Sequence, residues 1–144
     1  MIKQLKNDLV DHLFRAAKPA RYPQLIQELQ GYCGPNVCFT IAFNTPWVIE
    51  LQIRFWQRNV SDTTLVVIDN SSKPEVRPQL EELCRTAGVF YLGLPKNREW
   101  NPNRSHGISM NWIYYNIVKK LEPEKPRIVV DVYRGDKHVQ ETFR

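Results

Sequence analysis

Val37-Cys38-Phe39-Thr40-Ile41-Ala42-Phe43-Asn44 and Thr64-Leu65-Val66-Val67-Ile68-Asp69-Asn70-Ser71-Ser72 are two apolar, β-branched-rich runs that each stop abruptly at small polar residues. Each is followed by a segment with helical spacing of its apolar residues. This is the pattern of neighbouring parallel strands, buried on both faces of an α/β sheet. Ligands of open α/β sheets bind outside the carboxyl ends of the strands. The pattern therefore predicts that Asn44, Thr45, Asp69, Asn70 and Ser71 lie along one crevice.

Working outward, Thr45 suits a helix N-cap and Pro46 the first helical position. Trp47, Leu51 and Phe55 form one helical row, and Ile49, Ile53 and Trp56 an adjacent one. A second helix is predicted over 75–87, with Val76, Leu80, Leu83 and Ala87 on one face, Pro78 in its first turn and Gly88 as its stop. Residues 89–94 read as a third strand. A polar loop, 95–104, then leads through Ser105-His106-Gly107 into a long helix over 108–121. That helix has rows Ile113, Ile117, Leu121 and Ile108, Trp112, Tyr115, and Pro123 and Pro126 end it. Residues 127–133 read as a fourth strand. The alternation predicts an α/β fold with a mostly parallel sheet flanked by helices, its strands at 37–44, 64–69, 89–94 and 127–131.

Upstream, Leu5, Leu9 and Leu13 recur every four residues, and Val10 and Phe14 widen the stripe. A break over 18–23 separates it from a shorter stripe of Leu25, Ile26 and Leu29. The expectation is a helical hairpin packed on the domain, with an amphipathic membrane-surface segment as the alternative. The chain thus divides into a helical segment, 1–36, a ligand-binding domain, 37–133, and a tail, 134–144.

Composition fits one globular domain of 144 residues, 42% hydrophobic and 24% charged. No apolar run approaches the ~20 residues of a membrane span. The amino terminus lacks a signal-peptide apolar region, so the expected compartment is the cytoplasm. Net charge is +5, a mild surplus compatible with anionic partners and diagnostic of none. No Lys/Arg block resembles a nucleic-acid arm, so no nucleic acid is expected. Cys33, Cys38 and Cys84 are odd in number and lack metal-ligand spacing, and read as reduced, mostly buried thiols.

Two stretches carry polar groups suited to chemistry. Asp69 can accept a base N–H or ribose hydroxyls, and the Asn70 amide can both donate and accept. The same Asp-Asn-Ser-Ser run also makes a good turn. Asn103-Arg104-Ser105-His106-Gly107 opens a helix, where free N–H groups and the dipole favour an anion and Arg104 can add a bidentate contact. The plainer alternative is that Ser105 only caps the helix and His106 is an ordinary exposed imidazole.

These elements, in this order, resemble the front half of family 2 type glycosyltransferases, which have the GT-A fold. The matching residues are Phe39-Thr40-Ile41-Ala42-Phe43-Asn44 with Thr45-Pro46, then Leu65-Val66-Val67-Ile68-Asp69-Asn70-Ser71-Ser72, then Asn103-Arg104-Ser105-His106-Gly107 with Met110-Asn111. The resemblance spans 37–131 and implies a Rossmann-like, GT-A nucleotide-binding half. It implies a nucleotide-diphosphate-sugar donor, transfer of the sugar to an acceptor hydroxyl, and a Mg²⁺ or Mn²⁺ cofactor. The implied donor-binding set is Asn44, Thr45, Asp69 and Asn70 at the strand ends, with Arg104, Ser105, His106 and Gly107 at the helix start.

The sequence departs from the family at two places. The fourth strand should end in an Asp-x-Asp metal motif. Here that place reads Asp131-Val132-Tyr133, with Asp136 five positions on, leaving Asp131 as the single expected metal ligand. The family's acceptor half and general base have no counterpart by Arg144, and Glu141, in the tail, makes a poor base. The expectation is a truncated or divergent donor-binding domain whose isolated chain is inactive. The alternatives are a catalytically inactive nucleotide-sugar-binding remnant or subunit, and a basic Rossmann-like interaction module.

Overall fold

β1 (Asn36–Ala42) and β2 (Thr63–Asp69) pair in parallel along their whole lengths, from Asn36 opposite Thr63 to Ala42 opposite Asp69. β3 (Phe90–Gly93) adds in parallel to β2, and β4 (Arg127–Arg134) in parallel to the other side of β1. β5 (Lys137–Phe143) closes the order β3-β2-β1-β4-β5 as an antiparallel edge. The protein is thus a Rossmann-like α/β fold, seen in a computed structural model that describes residues 2–32, 36–121, 127–134 and 137–143, with side chains for 4–32 and 36–121. Cys33 and Asp136 lie outside the described residues.

Side-chain alternation along the strands divides the core into two layers. Val37, Phe39 and Ile41 of β1 and Val66 and Ile68 of β2 pack on one face. Cys38 and Ala42 of β1 and Leu65 and Val67 of β2 pack on the other. The first face is covered by α2 (Tyr22–Gly31) and α5 (Pro102–Ile113), with α1 (Ile2–Ala16) contributing Phe14. The second is covered by α3 (Pro46–Asn59) and α4 (Arg77–Ala87). Right-handed crossovers that step outward from β1 to β3, and then return past β1 to β4, must put their helices on opposite faces. Burial of each large aliphatic side chain here contributes ~1.5–3 kcal/mol.

Several local differences from the sequence expectation have physical causes. β1 ends at Ala42, not at residue 44, because Phe43 turns outward and Asn44 adopts a left-handed backbone, φ 54°. The last long helix starts at Pro102, not at residue 108, because Asn101 caps it by accepting from the Arg104 amide at 3.1 Å. It continues through a π-helical turn, Tyr114–Val118, into a last helical turn, Lys119–Leu121. The Tyr22 hydroxyl donates to the Asn116 carbonyl within that π turn, and Tyr115 is left 43% exposed. The region read as a tail holds β5, whose Gln140 lies opposite Asp131 of β4. α4 starts two residues later than expected but keeps Pro78 in its first turn, and Gly88 follows at φ 67° in the left-handed conformation that ends helices.

Candidate functional site

β1 is the strand from which the sheet order departs in both directions, and its carboxyl end is where a crevice is expected. A cavity of about 500 Å³ opens there. Ile41, Val48 and Ile49 make its apolar floor, and Phe43 and Trp100 are aromatic groups on its wall, 56% and 90% exposed. Thr45, Asn70, Glu99, Asn103, Ser105 and His106 supply polar groups. The amino ends of α3 and α5 both meet the cavity, through Thr45 and through Pro102 and Asn103.

The structure brings together four of the eight expected donor-binding residues: Thr45, Asn70, Ser105 and His106. Thr45 sits at the N-cap position of α3, yet its side chain makes no capping bond. Asn70 is 5% exposed and belongs to a polar cluster. Its Nδ2 donates to Ser105 Oγ at 3.1 Å, and its Oδ1 accepts from Asn97 Nδ2 at 3.0 Å. Asn97 also donates to the Ser105 carbonyl at 3.1 Å, and its backbone N–H donates to Ser71 Oγ at 2.7 Å. Asn97 therefore ties the loop before α5 to the end of β2.

The other four residues do not line the cavity. Asn44 locks the turn after β1 to the turn after β2: its N–H donates to Ser72 Oγ at 2.8 Å, and its Oδ1 accepts from the Lys73 N–H at 2.8 Å. Ser71, like Asn44, has a left-handed backbone, φ 61°, so non-glycine residues hold this conformation at both strand ends. Asp69 is fully buried. Its carboxylate accepts from the Ser72 N–H at 2.9 Å and the Tyr91 hydroxyl at 3.0 Å, and pairs with Arg77 Nε at 3.0 Å. A ligand would reach it only after these contacts parted. Burial, reinforced by the Asp69 charge, raises the Tyr91 phenol above its ordinary range.

Arg104 is similarly committed. Its guanidinium meets the Asp11 carboxylate at 2.6 and 3.1 Å and Glu99 at 2.7 Å. The Asn101 backbone N–H first, and then Arg104, hold the Glu99 carboxyl below its ordinary range. Glu99 is therefore an ionised, paired wall group rather than a proton donor. The expected opening of α5 at Ser105 is displaced by its real start. The Ser105 N–H is bonded to the Asn101 carbonyl at 2.8 Å, Arg104's is bonded to the Asn101 side chain, and Pro102 has none. Asn103 is the remaining first-turn residue that lines the cavity. A Cβ on Gly107 would meet nothing within 4 Å, so close backbone approach does not require glycine there.

Asp131 lies in β4 opposite Thr40, and its side chain is outside the described residues. Among the described residues, no three His, Cys, Asp or Glu side chains gather as a metal cage. Cys38 and Cys84 are both buried, as expected. The strand-end and helix-start signals do not mark Phe43, Asn97, Glu99 or Trp100 as site residues. Only Trp100 carried a signal, being a large aromatic inside an otherwise polar loop. No protein-family model, curated protein or solved structure matches this chain.

Proposed function

We propose that the crevice at the carboxyl end of β1 binds the nucleoside diphosphate part of a nucleotide sugar, which makes the chain the donor-binding domain of a glycosyltransferase-type unit. The observation that carries this reading is the 500 Å³ cavity at the reversal of strand order, with aromatic groups and two helix amino ends on its wall. An apolar floor with Phe43 and Trp100 beside it suits the flat face of a base. The amino ends of α3 and α5 favour the negative diphosphate. Thr45, Asn70 and Asn103 are placed to orient the ribose and phosphates.

The chemistry of the full unit would be transfer of the sugar to an acceptor hydroxyl. That reaction needs a carboxylate base and a neutralised leaving group. Among the described residues the carboxylates near the crevice do not fit a divalent cation: Glu99 is given to Arg104 and Asp69 to Arg77. Binding without turnover is therefore the expected behaviour of this chain.

Titration calorimetry of the purified chain against UDP, GDP and their hexose conjugates, with and without Mn²⁺, tests this directly. Trp100→Ala is expected to weaken binding by ~1–3 kcal/mol, the scale for losing a base–aromatic stack. No heat with any nucleotide, or unchanged affinity in Trp100→Ala and Phe43→Ala, would sink the reading. A second reading, an interaction module, has its own observation. The row Trp47, Leu51 and Phe55 on α3 is 64%, 58% and 64% exposed.

A further inference from the structure

α1 turns its leucine row away from the protein. Leu5, Leu9 and Leu13 are 64%, 58% and 59% exposed. The inward face is fixed by other contacts. Phe14 is buried, and Asp11 grips Arg104. Trp112 Nε1 donates to the Ala17 carbonyl at 2.9 Å, and Asn116 Nδ2 donates to the Arg15 carbonyl at 3.0 Å. Rotating the helix to bury the leucines would break all of these, so the exposed row is a settled feature of the fold.

A groove of about 290 Å³ runs beside the row, lined by Val10, Leu13, Phe14 and Ile108. Lys96 and Arg98 stand at it, both exposed. Lys6, one turn before Val10 on the same flank of α1, is exposed too. No ion pair engages these three cations among the described residues. The opposite flank carries Asp8, His12 and Arg15, with the Arg15 guanidinium over the Tyr115 ring.

We propose that this face docks on an anionic membrane surface, with Leu5, Leu9 and Leu13 entering the acyl boundary and Lys6, Lys96 and Arg98 meeting lipid phosphates. A helix with an apolar row and basic groups along one edge lies in the plane of the membrane interface, held by apolar burial and by attraction to acidic headgroups. Charge complementarity selects this occupant. A second copy of the chain would bring the same three cations to its own rim, whereas a bilayer rich in acidic lipid neutralises them. No helix among the described residues is long and apolar enough to cross a membrane, and the proposed contact lies in the plane of the interface. None of these residues lines the crevice, so the proposal stands independently of nucleotide binding.

Flotation of the full chain with vesicles of phosphatidylcholine alone, and of phosphatidylcholine with phosphatidylglycerol, tests it. The chain is expected to float with the acidic vesicles, to stay behind with the neutral ones, and to be released by high salt. Leu9→Gln/Leu13→Gln is expected to weaken binding at least about tenfold. Lys96→Glu/Arg98→Glu, which leaves α1 intact, is expected to weaken it about fivefold or more for each charge. Circular dichroism checks that both variants are folded. Failure to float with acidic vesicles, equal flotation with neutral ones, or unchanged binding in both folded variants overturns the proposal. So does a dimer, seen by size-exclusion chromatography without vesicle binding, that Leu9→Gln/Leu13→Gln dissolves.

Discussion

Asp69 and Arg104 illustrate how a residue can sit where a ligand is expected and still serve the protein itself. Asp69 joins the turn after β2 to Tyr91 of β3 and Arg77 of α4, and Arg77 continues the chain of contacts to the Leu94 carbonyl at 2.7 Å. Removing the charge strands a guanidinium and a hydroxyl in a half-buried place. Asp69→Asn is therefore expected to lower stability by ~2–4 kcal/mol in urea denaturation, whatever it does to binding. Cys84 gives a pH dependence. Burial, and then the neighbouring Glu81 charge, push its thiol from 9.0 up to about 12. Between those values the folded chain holds a proton that the unfolded chain has released. The stability this contributes is whole below pH 9.0 and is lost as pH rises toward about 12. The urea midpoint should fall between neutral pH and pH ~10, and fall less in Cys84→Ala. The sequence made the residue types at the strand ends legible, because small polar residues after an apolar run are a local signal. It could not reveal that Asp69 and Arg104 are paired, since their partners Arg77 and Asp11 come from elements whose placement only packing decides.

Among the elements, α3 carries two apolar rows and buries one. Ile49 and Ile53 are each 2% exposed against Leu65, Val67 and Leu80, whereas Trp47, Leu51 and Phe55 face outward. Periodicity detects both rows but cannot choose between them. Trp56 decides it here, its indole N–H donating to the Thr63 carbonyl at 3.0 Å at the start of β2. Ile53→Ala is expected to cost ~2–5 kcal/mol and Leu51→Ala within ~0.5 kcal/mol of nothing, checked by paired denaturation curves. The start of α5 was written in the chain as Asn101-Pro102, a cap followed by a favoured first residue. Its polar run to Ser105 reads equally well as loop. β5 also left a trace, since the two residues between it and β4 are Gly135-Asp136, a dipeptide favoured in tight hairpins. Its own alternation is too polar to mark it as a strand without β4 beside it.

For the whole molecule, the parallel pairing of neighbouring strands and the helical crossovers between them follow from the alternation of elements. That much was legible, and it fixes where a ligand crevice must lie. The identity of the crevice wall was not, because Phe43 and Trp100 reach it from a strand exit and a loop. The central claim is that a nucleotide binds against that wall. The chain has four tryptophans, so its indole N–H signals in a nitrogen–proton correlation spectrum form a small, assignable set. Trp56 and Trp112 are anchored by hydrogen bonds to the Thr63 and Ala17 carbonyls. Trp100, identified by its loss in Trp100→Phe, is exposed at the cavity. On titration with UDP-hexose the account predicts a saturable shift of the Trp100 indole signal, with those of Trp56 and Trp112 unmoved. A spectrum in which Trp100 stays in place while the nucleotide is present at saturating concentration, or in which Trp112 moves instead, would contradict it.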